Sequence, residues 1–84
     1  MENEILVYTM FNCIFCINQK KWMETNQLQY EERNIIKSSE YKKEFNDLNG
    51  AGLPLTVIRS NGEETIIVGF NQKKLENLLI KNNI

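Results

Sequence analysis

Two cysteines, Cys13 and Cys16, stand three positions apart directly after a short run of strand-forming residues, "ILVYT" at 5–9. The segment behind the pair, up to Thr25, contains good helix formers and neither glycine nor proline. We therefore predict a buried strand over Ile5–Thr9 and a helix from about Cys13 to Thr25. Both cysteines then lie at the start of the first helix, and the chain has no other cysteine.

The middle of the chain predicts a second strand and a second helix. Residues Leu28–Ile36, "LQYEERNII", are typical of a strand, and the charges among them favour an edge position. Ser39 is the expected N-cap of the second helix. Tyr41, Phe45 and Leu48 follow at helical spacing and form one apolar stripe.

The last third of the chain predicts a hairpin and a third helix. The glycines and the proline of "NGAGLP" end the second helix. Two β-rich runs flank Asn61-Gly62, a pair typical of a type I′ turn. Asn71 is the expected cap of the third helix, in which Leu75, Leu78 and Leu79 form the apolar stripe.

The resulting order, β-α-β-α-β-β-α, belongs to the α/β class. Its β-α-β part implies a parallel strand pair with a right-handed crossover, and the hairpin adds two antiparallel strands. We expect a four-stranded mixed sheet flanked by three helices. A chain of 84 residues has room for one such domain, so residues 1–84 are predicted to form a single domain.

Composition excludes several classes of function. The net charge is −1, without the basic footprint of a nucleic-acid-binding protein. No apolar run approaches the ~20 residues that cross a bilayer, and "MENEILVY" does not resemble a signal peptide. The chain has no histidine, the commonest metal ligand and a frequent general base. We expect a cytoplasmic monomer that binds neither nucleic acid nor membrane.

The cysteine pair allows several interpretations. A structural disulfide across two residues would remove little entropy from the unfolded chain. Zinc prefers four ligands, so two thiols without histidine would need carboxylate ligands in a monomer, or the four cysteines of a zinc-bridged dimer. Two buried free cysteines acting as small apolar side chains are a further alternative. A redox-active couple is favoured, because Cys-x-x-Cys beside a β-α-β pattern is typical of one in a cytosolic chain.

Thiol chemistry accounts for the spacing. If Cys13 caps the first helix, its sulfur can accept hydrogen bonds from the N–H groups of Phe15 and Cys16, and the helix dipole further favours the thiolate. Side chains three positions apart on a helix have Cβ atoms about 5–6 Å apart, which a small adjustment brings within disulfide range. We therefore assign Cys13 as the attacking nucleophile and Cys16 as the resolving thiol.

Three segments resemble known proteins. "VYTMFNCIFC" resembles the active-site segment of glutaredoxins and glutaredoxin-like redoxins, and "GLPLTVI" resembles their segment with a cis-proline entering the third strand. "VGFNQKKL" resembles the Gly-Phe segment of the NrdH-type redoxins, which donate electrons to a ribonucleotide reductase. The resemblance implies a thioredoxin-like fold and a thiol-disulfide oxidoreductase of protein disulfides. Its only redox group would be the disulfide Cys13–Cys16, with no bound cofactor or metal.

The resemblance also implies a substrate groove beside the cysteine pair. Pro54 would be cis, which would leave the backbone N–H and C=O of Leu53 free to pair with an extended substrate. As plain structural residues, Tyr8 and Phe70 would instead belong to the core, and Pro54 would only end the glycine-rich loop. The implied groove residues are Tyr8, Phe15, Leu53, Pro54, Gly69 and Phe70.

Departures from the glutaredoxin pattern bear on the reductant. Met10 stands where many glutaredoxins carry a lysine that helps to hold glutathione. Phe70 and the run Asn71–Lys74 occupy the region of a glycine and an acidic residue that bind glutathione. We therefore expect the reductant to be a thioredoxin-reductase-type flavoenzyme or a low-molecular-weight thiol other than glutathione.

An alternative function comes from a second resemblance. "EERNI" and "VGFNQ" resemble segments of the regulators related to arsenate reductase, which bind RNA polymerase and sense redox state through a similar cysteine pair. Those chains carry an inserted helical region where this chain has only "NGAG". The alternative is a redox-sensing or zinc-binding regulatory module.

Overall fold

The computed structural model describes residues 3–81 of the chain. Its elements follow the predicted order β-α-β-α-β-β-α, with the last helix continuing as a π-helical turn. In chain order they are β1 (Glu4–Thr9), α1 (Ile14–Thr25), β2 (Glu31–Asn34), α2 (Ser39–Asp47), β3 (Leu55–Ser60), β4 (Glu63–Val68), α3 (Gln72–Leu75) and the π-helical turn (Glu76–Ile80).

The four strands form one mixed sheet in the order β2-β1-β3-β4. β1 and β2 are parallel, whereas β1–β3 and β3–β4 are antiparallel, which confirms the predicted sheet. β2 lies at an edge, as its charged residues predict. Asn61 and Gly62 have φ values of 55° and 79°, and both are positive as a type I′ hairpin turn requires.

The two faces of the sheet carry separate apolar clusters, because side chains alternate along a strand. From β1, Ile5 and Val7 point to the face covered by α1 and α3, where they pack with Met23, Leu75 and Leu79. The opposite face packs against α2 and contains Leu6, Tyr8, Ile35, Phe45, Leu55 and Val57. The first face therefore supports the helix that begins with the cysteine pair.

The second strand is shorter than predicted at both ends. The N–H of Leu28 donates to the carbonyl oxygen of Met23 at 2.9 Å, so this residue closes α1 and is not part of a strand. The side-chain oxygen of Asn34 accepts from the N–H groups of Ile36 and Lys37, at 2.8 and 3.2 Å. This turn ends β2 at Asn34, and the predicted range Leu28–Ile36 is wrong outside its centre.

Two predicted helix caps have different outcomes. The N-cap of α2 is Ser38 and not Ser39, because the Ser38 hydroxyl accepts from the Tyr41 N–H at 3.3 Å. Asn71 is confirmed as the cap of α3, since its side chain accepts from the Lys74 N–H at 3.1 Å.

Among residues 3–81, no helix combines the length and the hydropathy needed to cross a membrane.

Candidate active site

The cysteine pair follows the end of the sheet at which β1 and β4 end and β3 begins. Tyr8 pairs with Leu55 in the antiparallel register, so the start of β3 lies beside the end of β1. The Gly69 N–H, directly after β4, donates to the Pro54 carbonyl oxygen at 2.8 Å. The loop from Thr9 to α1 starts at this same end of the sheet. The topology therefore brings the predicted cysteine, proline and glycine segments to one end of the sheet.

Cys13 is the N-cap of α1, and its sulfur is bonded to that of Cys16 with the two Cα atoms 5.2 Å apart. The Cys13 sulfur also accepts a hydrogen bond from the Cys16 N–H at 3.2 Å, as predicted. The predicted bond from the Phe15 N–H is not formed in the described part of the chain. A cap side chain reaches the second or third helical N–H, and here it reaches the third. The pair is thus a disulfide built around a helix cap.

The two cysteines differ in their access to solvent. Cys13 is half-buried, whereas Cys16 is only 1% exposed and faces the sheet. A thiolate must be accessible to attack a disulfide in another molecule. The accessible sulfur of this site is therefore that of Cys13.

In the described residues, no group of three or more His, Cys, Asp or Glu side chains is arranged to hold a metal ion.

Large apolar side chains are exposed around the disulfide. Phe15, between the two cysteines, is 59% exposed, and Phe11 lies under the Lys37 ammonium at 5.8 Å from its ring centre. Contiguous exposed apolar side chains are a common mark of a protein-binding surface. Only Phe15 is predicted for this role by the sequence. We call the group the apolar rim, and it consists of Met10, Phe11, Ile14, Phe15 and Ile17.

The segment before β3 has the geometry that the family resemblance implies. The Leu53–Pro54 peptide bond is cis, and Pro54 is buried. The Leu53 side chain packs on the α2 face of the sheet. Its backbone N–H and C=O have no hydrogen-bond partner within residues 3–81. Gly69, with φ of 81°, adopts a conformation that favours glycine beside this segment.

Tyr8 belongs to the core, and Phe70 packs against the core. The assignment of Tyr8 to the groove is wrong, because alternation along β1 directs its side chain to the α2 face. There its hydroxyl donates to Glu44 at 2.9 Å and accepts from Arg33 at 3.2 Å. Burial and the bond to Glu44 raise the pKa of the Tyr8 hydroxyl above its usual value. Phe70 is half-buried against Trp22, with ring centres 6.3 Å apart.

A polar network that the sequence analysis missed connects β1, α1 and β2 near the site. The Thr9 hydroxyl donates to Glu32 at 2.7 Å, and the Lys20 ammonium donates to the same oxygen at 2.9 Å. Burial raises the pKa of Glu32, but these two hydrogen bonds and the charges of Lys20 and Lys37 outweigh it. The pKa of Glu32 therefore lies below its ordinary value of 4.5.

This lowered pKa gives Glu32 a pH-dependent effect on stability. The ionised carboxylate stabilises the fold above pH 4.5, and this contribution is lost as the pH falls through the lowered value. We expect Glu32→Gln to lower the free energy of unfolding by up to about 1 kcal/mol at pH 7, with the difference from wild type shrinking on acidification. Urea unfolding at a series of pH values measures it. Glu63→Gln, at an exposed position outside the ion pairs of residues 3–81, is the control, and a constant difference would contradict the expectation.

A buried polar pair, also missed, fixes α1 to β3. Gln19 is fully buried, and its amide nitrogen donates to the Thr56 hydroxyl at 2.7 Å. Gln19 stands three positions after Cys16 and four before Met23, so the three share one face of the helix. A glutamine on the buried face was the sequence signal for this contact, although its partner is 37 positions away.

Comparison with known proteins gives the same family. The family profile for glutaredoxin matches residues 5–63. The solved structure of the thioredoxin-like protein BC3987 is 30% identical, with a TM-score of 0.77 over 90% of this chain and 100% of that chain. NrdH-redoxin from Escherichia coli is 23% identical, with a TM-score of 0.75 over 89% and 93% of the two chains. The latter likeness concerns the fold.

A curated relative matches only in part. Global transcriptional regulator Spx 2 from Bacillus anthracis is 40% identical over 35 residues, which are 42% of this chain and 27% of the regulator. The chain therefore spans about a quarter of the length of this relative.

The family profile extends over both cysteines and Pro54, and the structure joins those cysteines in a disulfide at the start of α1. BC3987 aligns with nearly the whole chain at an identity that supports common ancestry as well as a common fold. The resemblance to glutaredoxins and glutaredoxin-like redoxins found in the sequence is thereby confirmed. This chain belongs to the glutaredoxin family and has a thioredoxin-like fold.

Proposed function

We propose that this glutaredoxin-like protein reduces disulfides in other proteins by dithiol exchange, with Cys13 attacking and Cys16 resolving. The observation that carries the proposal is the difference in access between the two sulfurs. Cys13 is half-buried at the helix cap, and Cys16 is 1% exposed beneath it. The Cys16 N–H at 3.2 Å from the Cys13 sulfur stabilises negative charge there. Such a sulfur is suited to act as the first nucleophile.

The reaction proceeds through one mixed disulfide. The Cys13 thiolate attacks a sulfur of the substrate, so a Cys13–substrate bond forms, the substrate S–S bond breaks, and the departing sulfur takes a proton from solvent. Cys16, after losing its proton, attacks the Cys13 sulfur and displaces the second substrate thiol. Two electrons have then passed to the substrate, and the protein holds the disulfide Cys13–Cys16. Positioned sulfurs supply this chemistry without a bound cofactor.

A protein substrate fits the surroundings of the disulfide. The unpaired backbone N–H and C=O of Leu53 can pair with an extended segment, in the manner of an added strand. The apolar rim offers contact for side chains that flank the substrate disulfide. Pro54 and Gly69 hold the Leu53 segment in position through the bond between the Gly69 N–H and the Pro54 carbonyl. Phe70 supports this end of the groove from the core, through its contact with Trp22.

The reductant is the finer part of the proposal. Met10 is exposed where many glutaredoxins carry a lysine, and the exposed run Asn71–Lys74 offers no acidic residue to an amino group. We infer that a thioredoxin-reductase-type flavoenzyme, or a low-molecular-weight thiol other than glutathione, reduces the protein. A ribonucleotide reductase is one acceptor to test, because "VGFNQKKL" resembles the corresponding segment of NrdH-type redoxins.

The test follows NADPH consumption with a disulfide-containing protein as acceptor. One arm contains thioredoxin reductase, and a second contains glutathione with glutathione reductase. We expect turnover in the first arm at a rate at least about tenfold above that in the second. Turnover only with glutathione would overturn the proposed reductant and keep the proposed reaction. Absence of turnover in both arms would contradict the reaction itself, provided that each of the two reductases is active on its own control substrate.

One observation favours a second function. The partial likeness to a transcriptional regulator supports a redox-sensing or zinc-binding regulatory module. Such a module would bind a protein partner or zinc without turnover, and four cysteines from two chains would complete a zinc site. Stoichiometric zinc in protein purified under reducing conditions, together with a dimer in solution, would favour it.

The main proposal takes residues 1–84 as a single glutaredoxin-like domain that acts as a cytoplasmic monomer. A reducing compartment suits a dithiol that must be regenerated after each turnover. Sedimentation of the reduced and oxidised forms at the mass of one chain would agree with this part of the proposal.

A further inference from the structure

One buried polar atom has no hydrogen-bond partner. It is the side-chain oxygen of Gln19, the single such side-chain atom among residues 3–81. Gln19 is 0% exposed, so solvent does not satisfy this oxygen. A buried acceptor without a donor is unfavourable, and folded proteins contain few of them. Because the structure contains the oxidised cysteine pair, a donor that exists only after reduction would account for it.

The position of Gln19 on α1 identifies a neighbour for this oxygen. The amide nitrogen donates to Thr56 at 2.7 Å and faces the Met23 sulfur at 3.8 Å. Met23 lies one turn toward the C-terminus of α1. A helical side chain lies over the turn that precedes it, so the Gln19 side chain lies over the preceding turn of α1. That turn carries Cys16, three positions earlier on the same buried face.

We propose that the Gln19 side-chain oxygen accepts a hydrogen bond from the Cys16 thiol in the reduced protein. The inference rests on the proposed exchange reaction and concerns the resolving sulfur in it. In the disulfide, Cys16 carries no proton, and the Gln19 oxygen is left without a donor. In the dithiol, the Cys16 S–H supplies that donor. Gln19 is thus a positioning residue that stabilises the reduced pair relative to the disulfide.

The reduction potential reports this preference. When dithiothreitol reduces the protein, two electrons and two protons pass to the Cys13 and Cys16 sulfurs, the S–S bond between them breaks, and dithiothreitol closes its own disulfide. Any interaction present only in the dithiol form raises the potential, since it stabilises the reduced state. Loss of the Gln19 oxygen should therefore make the protein a stronger reductant.

The experiment compares Gln19→Met with wild type in dithiothreitol buffers of known ratio. Methionine has a similar length and shape but provides neither the amide oxygen nor its nitrogen. We expect the equilibrium to shift about tenfold toward the disulfide. The variant lacks the hydrogen bond that stabilises the dithiol, and it also lacks the unsatisfied acceptor that destabilises the disulfide. A tenfold shift corresponds to a potential about 30 mV more negative.

Thr56→Val is the matched control. It removes the partner of the Gln19 nitrogen in both redox states, yet it keeps the Gln19 side-chain oxygen. We expect its potential to stay within about twofold of wild type in the same equilibrium. An equal shift in both variants would trace the effect to loss of the buried pair and overturn the proposal. An unchanged potential in Gln19→Met would mean that the oxygen is satisfied equally in both states, which also overturns it.

A second measurement needs no change at Gln19. In Cys13→Ser, the only thiol of the chain is that of Cys16, so the infrared S–H stretching band belongs to this group alone. We expect the band at a lower frequency than that of a thiol in an apolar solvent, as hydrogen bonding requires. A band at the free-thiol position would overturn the proposal. A pair that dithiothreitol cannot reduce would instead contradict the proposed function, so the two failures are distinguishable.

Discussion

We expect Cys13→Ser to abolish disulfide reduction, with turnover lower than that of wild type by on the order of a thousandfold or more. A serine hydroxyl is not ionised at neutral pH and cannot take the place of sulfur in a disulfide. Cys16 cannot substitute for it, because this residue is only 1% exposed beneath the cap of α1. NADPH consumption coupled to a protein disulfide measures the loss. Asn18→Ser, at an exposed position of the same helix, is the control and should retain wild-type turnover.

Cys16→Ser should give a different result. Cys13 keeps its position at the helix cap, so the first exchange still occurs and a covalent mixed disulfide with the substrate forms. No second thiol is present to resolve it, and the adduct accumulates at up to one substrate per chain. Mass spectrometry of the unreduced reaction mixture would detect the adduct. If Cys16→Ser turned over like wild type, or if Cys13→Ser trapped the substrate instead, the assigned roles would be wrong.

Local chemistry explains which parts of this structure were predictable. Asn61-Gly62 specifies its own turn, because both residues tolerate positive φ. The cysteine pair was recognisable because three positions of a helix bring two sulfurs within bonding distance. The cap at Asn71 depends on one side chain and an N–H three residues away. Each of these features is encoded within a few neighbouring residues.

Contacts between distant segments explain the misses. The N–H of Leu28 donates to the Met23 carbonyl oxygen at the end of α1, so Leu28 is not part of β2 and the strand is shorter than predicted. Tyr8 is buried because α2 covers the face of the sheet to which its side chain points. The residue pattern of one strand does not predict which face a helix covers. The bond from Gln19 to Thr56 joins residues 37 positions apart and has no local signature beyond a polar residue on an apolar helix face. The groove was likewise predictable only through the resemblance to a family.

The largest effect on stability is expected at Leu55, the first residue of β3. Leu55 is 0% exposed and packs in the cluster on the α2 face of the sheet. Leu55→Ala would leave a cavity there, and such changes typically cost about 2–5 kcal/mol. A domain of this length has a total stability of roughly 4–13 kcal/mol. We therefore expect the melting temperature to fall by roughly 10–25 °C, as measured by circular dichroism on the oxidised protein.

Val68→Ala is the matched control, because Val68 is the β4 neighbour of Leu55 in the register yet is 51% exposed. Its loss should change the free energy of unfolding by no more than about 0.5 kcal/mol. Equal losses in the two variants would mean that the strands themselves, and not burial beneath α2, stabilise this end of the sheet. A large loss confined to Leu55→Ala would locate the stabilising contacts directly behind Leu53 and Pro54. The groove segment would then be held in position by the same cluster that keeps the sheet and α2 together.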